Sequence, residues 1–136
     1  MNDECIICNP EEQNVIGSTE LSIATYFPRA IKPGHFVVAT REHLPTFTDI
    51  GPDQAADLFR FANELAGRAE PLVGAVKTYI AAIGDKDPHF HIHVFPRLAA
   101  DAPMGPHIME PQGWAGEVGQ EVSEEEVRAF IDAMRG

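Results

Sequence analysis

The sequence predicts an α+β domain, and three observations carry that reading. His89-Phe90-His91-Ile92-His93-Val94-Phe95 alternates imidazoles with apolar side chains, the period of a half-buried strand. Leu58, Phe61, Ala62 and Leu65 recur at helical spacing behind Pro52, a residue suited to a first helical position. Near the C-terminus Ser123 precedes Glu126 by three residues, the spacing of a capping box.

The elements follow in order. Residues 20–26, Glu-Leu-Ser-Ile-Ala-Thr-Tyr, read as a strand from their alternation and β-branched content, and 36–39 as another, with Pro33 and Gly34 turning between them. A helix is expected over 52–69, its aromatic stripe belonging to the core, and Pro71 should end or kink it. Residues 76–82 are a third strand candidate, and Gly84-Asp85 turns the chain into the histidine strand at 89–95. Prolines 103, 106 and 111 with glycines 105, 113, 116 and 119 break regular structure over 98–122, a loop long enough to have a function of its own. That loop holds Trp114, His107 and Met109 and follows the histidine strand, so it either folds over the site or packs on a partner or sheet edge. A helix over 124–135 closes the chain, and no internal repeat is visible.

With 136 residues, 1–136 reads as one domain able to bury a core without disulfides. A net charge of −11 argues against nucleic acid or an anionic membrane as partner, because both reward a basic face. A small phosphorylated ligand senses only the field of its own pocket and is not excluded. No apolar run is long enough to span a bilayer, and the N-terminus carries acids and cysteines in place of a signal pattern. A cytoplasmic location is the expectation, in which two cysteines stay thiols or bind metal.

The histidines point to chemistry. Same-face strand neighbours lie roughly 6.6 Å apart, so His89 and His93 are roughly 13 Å apart. Zinc–nitrogen bonds of about 2.0–2.1 Å cannot span that, so the three rings have separate tasks. This segment resembles the His-apolar-His-apolar-His signature of the histidine-triad (HIT) family of nucleotide hydrolases and transferases. Two further stretches are similar to that family: Pro33-Gly34-His35-Phe36-Val37-Val38-Ala39-Thr40-Arg41-Glu42-His43, and the Cys5-Ile6-Ile7-Cys8 found near the start of zinc-bearing members. The resemblance covers residues 5–97 and implies an antiparallel sheet of about five strands, one long helix packed on it, a C-terminal helix and a homodimer.

The Cys5/Cys8 pair lacks the βαβ setting of a redox motif. It is either two incidental thiols or half of a four-ligand zinc site. The resemblance supplies the other half, His43 and His89, and makes that zinc structural. It also casts His91 as the nucleophile on an α-phosphorus, His93 as hydrogen-bond donor to a phosphate oxygen, and His35 as the residue that orients or polarises them. Imidazole, with an unperturbed pKa near 6.5, is mostly unprotonated at neutral pH and suits nucleophilic attack without a catalytic metal.

The chain departs from the family pattern at the substrate. Phe27 stands where relatives carry a ribose-binding aspartate, and the short Gly84-Asp85-Lys86-Asp87-Pro88 replaces a loop of amides. A base stacking on Phe27 or Tyr26, charge from Lys86 or Arg97, and cover from Trp114 are the expected substrate contacts. The leading reading is a nucleotidyl hydrolase or transferase acting on phosphoanhydride or phosphoramidate bonds of a small nucleotide. The alternative is a catalytically weak nucleotide- or partner-binding protein of the same fold. A histidine-strand metalloenzyme is the weakest, for want of three convergent ligands at an open site.

Overall fold

The computed structural model describes residues 4–26, 34–85, 88–100 and 123–136. Five strands form one antiparallel sheet: β1 (Val15–Ser18), β2 (Ser22–Tyr26), β3 (Phe36–Thr40), β4 (Ala75–Ala81) and β5 (His91–Leu98). Their spatial order is β1-β2-β3-β5-β4, so the last strand inserts between the third and the fourth. Two helices, α1 (Pro52–Val73) and α2 (Glu124–Arg135), complete the α+β architecture.

Period-two alternation gives each central strand two faces. Phe36, Val38, Ile92 and Val94 turn to one side and meet Leu58, Phe61 and Leu65 of α1 and Phe130, Ile131 and Met134 of α2. The α1 stripe read from the sequence is therefore core. Pro52 opens α1, and the Gln54 side chain accepts from the Gly51 amide at 2.8 Å. In α2 the Ser123 hydroxyl accepts from the Glu126 amide at 3.1 Å, and the Glu126 carboxylate turns to that hydroxyl instead of the cap's backbone. Asp57 accepts from the hydroxyls of Thr19 and Ser22 and so ties the β1–β2 turn to α1.

Several boundaries correct the sequence reading. Helix α1 runs through Pro71 to Val73, with Gly74 in the left-handed region at φ 69° as its cap. The proline lies within the last turn, where its missing amide costs one hydrogen bond and the helix is about to stop anyway. Strand β5 starts at His91, two residues later than expected, because the Phe90 amide leaves the sheet to bond the Leu44 carbonyl at 2.6 Å. It then continues through Pro96 to Leu98, where the irregular segment had been expected to begin. Beyond Val94 only β4 still pairs with β5, a position that tolerates proline. The short β1, broken by an irregularity between Val15 and Gly17, was not singled out in the sequence. Gly34 meets two demands at the entry to β3: its φ is 89°, and a Cβ there would lie 3.1 Å from Val73 Cγ1. At the opposite edges, β4 exposes Val76 and Ile80. Among the described residues no helix is long and apolar enough to cross a membrane.

Candidate active site

The β3–β5 ladder builds the site. Val37 stands opposite His93 and Ala39 opposite His91, on the sheet face turned away from the helical core. His91, His93 and His35 are all buried. Their rings form a row, with centroids 4.9 Å apart between His91 and His93 and 5.2 Å between His93 and His35.

Hydrogen bonds decide what each ring can do. His91 Nδ1 lies 2.7 Å from the His89 carbonyl oxygen, an acceptor only, so Nδ1 carries the proton. In the neutral ring the lone pair is then on Nε2, and His91 lines the cleft. His35 Nε2 is 3.0 Å from His93 Nδ1. Burial, then the neighbouring His93 and His91, holds the pKa of His35 well below the usual histidine value, so His35 is neutral. If its Nε2–H donates, His93 is left as an Nε2–H donor.

His89 belongs to a second cluster. Its Nδ1 lies 3.3 Å from Cys5 Sγ, 3.4 Å from Cys8 Sγ and 3.2 Å from His43 Nδ1. Cys8 Sγ is 3.2 Å from His43 Nδ1, and all four atoms lie within 4.8 Å of one another. Tetrahedral zinc, with bonds of about 2.0–2.1 Å to nitrogen and about 2.3 Å to sulfur, has N–N edges near 3.3 Å and N–S edges near 3.6 Å. The N–N distance of 3.2 Å and the N–S distances of 3.2, 3.3 and 3.4 Å are close to those edges. His89 Nε2 lies 2.5 Å from the Thr40 carbonyl oxygen and must donate to it, which turns an unprotonated Nδ1 toward the thiols. Burial lowers the His89 pKa, against the opposing pull of the Thr40 carbonyl, and keeps the ring in the neutral form a metal requires. The Cys8 amide donates to Cys5 Sγ at 3.4 Å. These four residues can hold a metal ion.

The three triad rings are divided between two clusters: His89 joins the cysteines, while His91 and His93 join His35. The matching family assignment rests on a longer stretch. The sequence matches the HIT domain over residues 9–100.

The chain belongs to the HIT family. It is similar to the bifunctional bis(5'-adenosyl)-triphosphatase/adenylylsulfatase of Arabidopsis thaliana, 31% identical over 96 residues, or 67% of this chain and 53% of that protein. The asymmetrical bis(5'-nucleosyl)-tetraphosphatase of Schizosaccharomyces pombe is 30% identical over 97 residues, covering 68% of this chain and 53% of that protein. The chain spans about half the length of these two relatives. Among solved structures, a zinc-bound histidine triad family protein from Mycobacterium smegmatis shares the fold, with a TM-score of 0.72 at 21% identity over 96% of this chain and 93% of that one.

In this HIT chain the cleft beside His91 has walls that the sequence reading did not name. Ile6, Ile7, Asn9 and Asn14 line it from the N-terminal segment, facing Thr25 and Val37 on the sheet. The one available signal was the apolar pair between the cysteines, whose positions are fixed once both thiols meet His43 and His89. Tyr26, expected as a stacking residue, also lines the cleft but packs edge-on against Phe130 with its ring in the core. Burial, with Glu126 nearby, pushes its pKa up to about 12, so the hydroxyl stays neutral. Arg97 lies farther along β5 opposite Lys77, half-buried, and is not among the residues lining this cleft. Phe27, Lys86 and Trp114 lie outside the described residues.

The depressed pKa of His35 has a consequence for stability. As pH falls below about 6.5 the unfolded chain takes up the proton that folded His35 refuses. The stability contributed by neutral His35 is therefore whole above that pH and is lost on acidification. Denaturant melts between about pH 7.5 and about 5.5 should show a shallower loss of stability in His35→Gln than in wild type. Parallel losses in the two proteins would show that His35 titrates normally.

Proposed function

We propose that this chain is a nucleotidyl hydrolase or transferase that cleaves phosphoanhydride or phosphoramidate bonds of small nucleotides through a covalent nucleotidyl-His91 intermediate. The observation that carries the reading is the His91 Nδ1–H held by the His89 carbonyl, which leaves Nε2 as the nucleophilic nitrogen of a residue that lines the cleft. Membership of the HIT family and the triphosphatase and tetraphosphatase names of the curated relatives support it.

The residues imply the following sequence. His91 Nε2 attacks the α-phosphorus, forming a P–N bond as the bond to the leaving group breaks and its electron pair departs with that group. His93, held by His35, donates an Nε2–H to a non-bridging oxygen as negative charge grows there. Neutral His35 preserves this orientation without adding a buried charge. Water, or an acceptor in a transferase, then attacks the phosphorus and gives up its proton to solvent, and the P–N bond breaks with its electron pair returning to Nε2. The base packs between Ile6, Ile7 and Val37. In this reading zinc is structural. Cys5, Cys8, His43 and His89 would hold it, and bound there it supplies a cross-link between the N-terminal segment, the end of β3 and the entry to β5.

Two measurements test these proposals. His91→Ala should lower turnover of dinucleoside polyphosphates and adenylyl phosphoramidates by more than about 10³-fold, since no other group replaces a covalent nucleophile. Equal rates in both proteins would remove His91 from the chemistry. Elemental analysis should find zinc with wild type, and Cys8→Ser should lose it together with several degrees of melting temperature. A metal-free wild type as stable as the loaded protein would refute the structural role.

A further inference from the structure

His89 is shared between the two clusters, through different atoms. Its ring reaches the thiols with Nδ1 and the Thr40 carbonyl with Nε2, while its backbone carbonyl holds the Nδ1–H of His91. The residue precedes β5, so its peptide is outside the β3–β5 ladder, whose last pair is Ala39 with His91. What orients that carbonyl is the Phe90 amide on Leu44, the ring contact to Thr40, and the Cys5, Cys8 and His43 cluster. Two of these three restraints act through the imidazole of a residue with no exposed surface.

We propose that His89 is a positioning residue that transmits occupancy of the Cys/His site to the tautomer of His91. Metal on Nδ1 fixes the ring, the ring fixes the 89–90 peptide, and the carbonyl then holds the proton on His91 Nδ1. Without metal, the four groups keep only thiol and imidazole contacts of 3.2–3.4 Å, weaker restraints than metal–ligand bonds. The ring relaxes, the carbonyl leaves its line with His91, and that imidazole divides between its two tautomers. Only the Nδ1–H form presents a lone pair on Nε2, so the competent fraction falls while the cleft remains. This inference rests on the reading of His91 as the nucleophile.

Long-range proton–nitrogen spectra of the imidazoles test it without substrate, on zinc-loaded wild type, zinc-loaded His89→Cys and chelated wild type. His89→Cys keeps four ligand groups but removes the ring that bonds Thr40. The expected result is a single Nδ1–H tautomer for His91 in loaded wild type and a mixture in the other two. The His35–His93 hydrogen bond in the same spectra reports an intact sheet. Turnover should follow, with kcat about 10–100-fold lower in both altered proteins. KM should hold in His89→Cys but rise on chelation, because Ile6 and Ile7 lie between the thiols and line the cleft. An unchanged Nδ1–H tautomer in all three proteins would overturn the proposal. Should chelation unfold the chain, cadmium replaces zinc: the larger ion should displace the His91 Nδ1–H resonance, and an unmoved resonance would again overturn it. A zinc-dependent tautomer without nucleotide turnover would sink the hydrolase reading alone. Turnover with a zinc-independent tautomer would sink this inference alone.

Discussion

The pairing of β3 with β5 is the constraint on which the rest of the molecule depends. A shift of one residue would send His91 and His93 into the core and turn Ile92 and Val94 out to the cleft. The register is held by burial on the other face, where Phe36, Val38, Ile92 and Val94 pack under both helices. Stability and site geometry therefore have a common origin. Placing the last strand between β3 and β4 also brings three distant stretches together: the N-terminal cysteines, the Gly34-His35 entry to β3, and the triad itself.

Burial then does chemical work on the imidazoles. His35 resists protonation, since its charge would be poorly solvated and would be opposed by the neighbouring His93 and His91. The tautomers of His91 and His89 are set by the acceptors each ring meets. A backbone carbonyl can only accept, so His91 has no choice of tautomer while His89 stays in place. The Thr40 carbonyl imposes the same restriction on His89 and turns its other nitrogen to the thiols.

Much of this was legible in the sequence because two periods are unambiguous. Alternation marked β2 and β5, apolar β-rich stretches marked β3 and β4 as strand candidates, and the 3.6-residue spacing of Leu58, Phe61 and Leu65 marked α1. The argument that three same-face histidines cannot share one ion anticipated their division between two clusters. What escaped was set by tertiary contacts. Val15–Ser18 is four residues long and pairs irregularly, so its pattern is too brief to read. Pro71 misled because its position relative to the helix end decides its cost, and that end was not known. The cleft walls escaped for a different reason. Ile6 and Ile7 carry no chemistry of their own and acquire a role only when the flanking cysteines meet residues 35 and more positions away.

The central claim is that Nε2 of His91 forms a bond to phosphorus. The most direct measurement is rapid acid-free quenching of the protein with an adenylyl phosphoramidate, followed by mass spectrometry of its peptides. The account predicts a transient nucleotidyl adduct confined to the peptide that carries His91, decaying at the rate of mononucleotide release and absent from His91→Ala. Turnover with no adduct at any time, or an adduct on His93 or His35 instead, would contradict it.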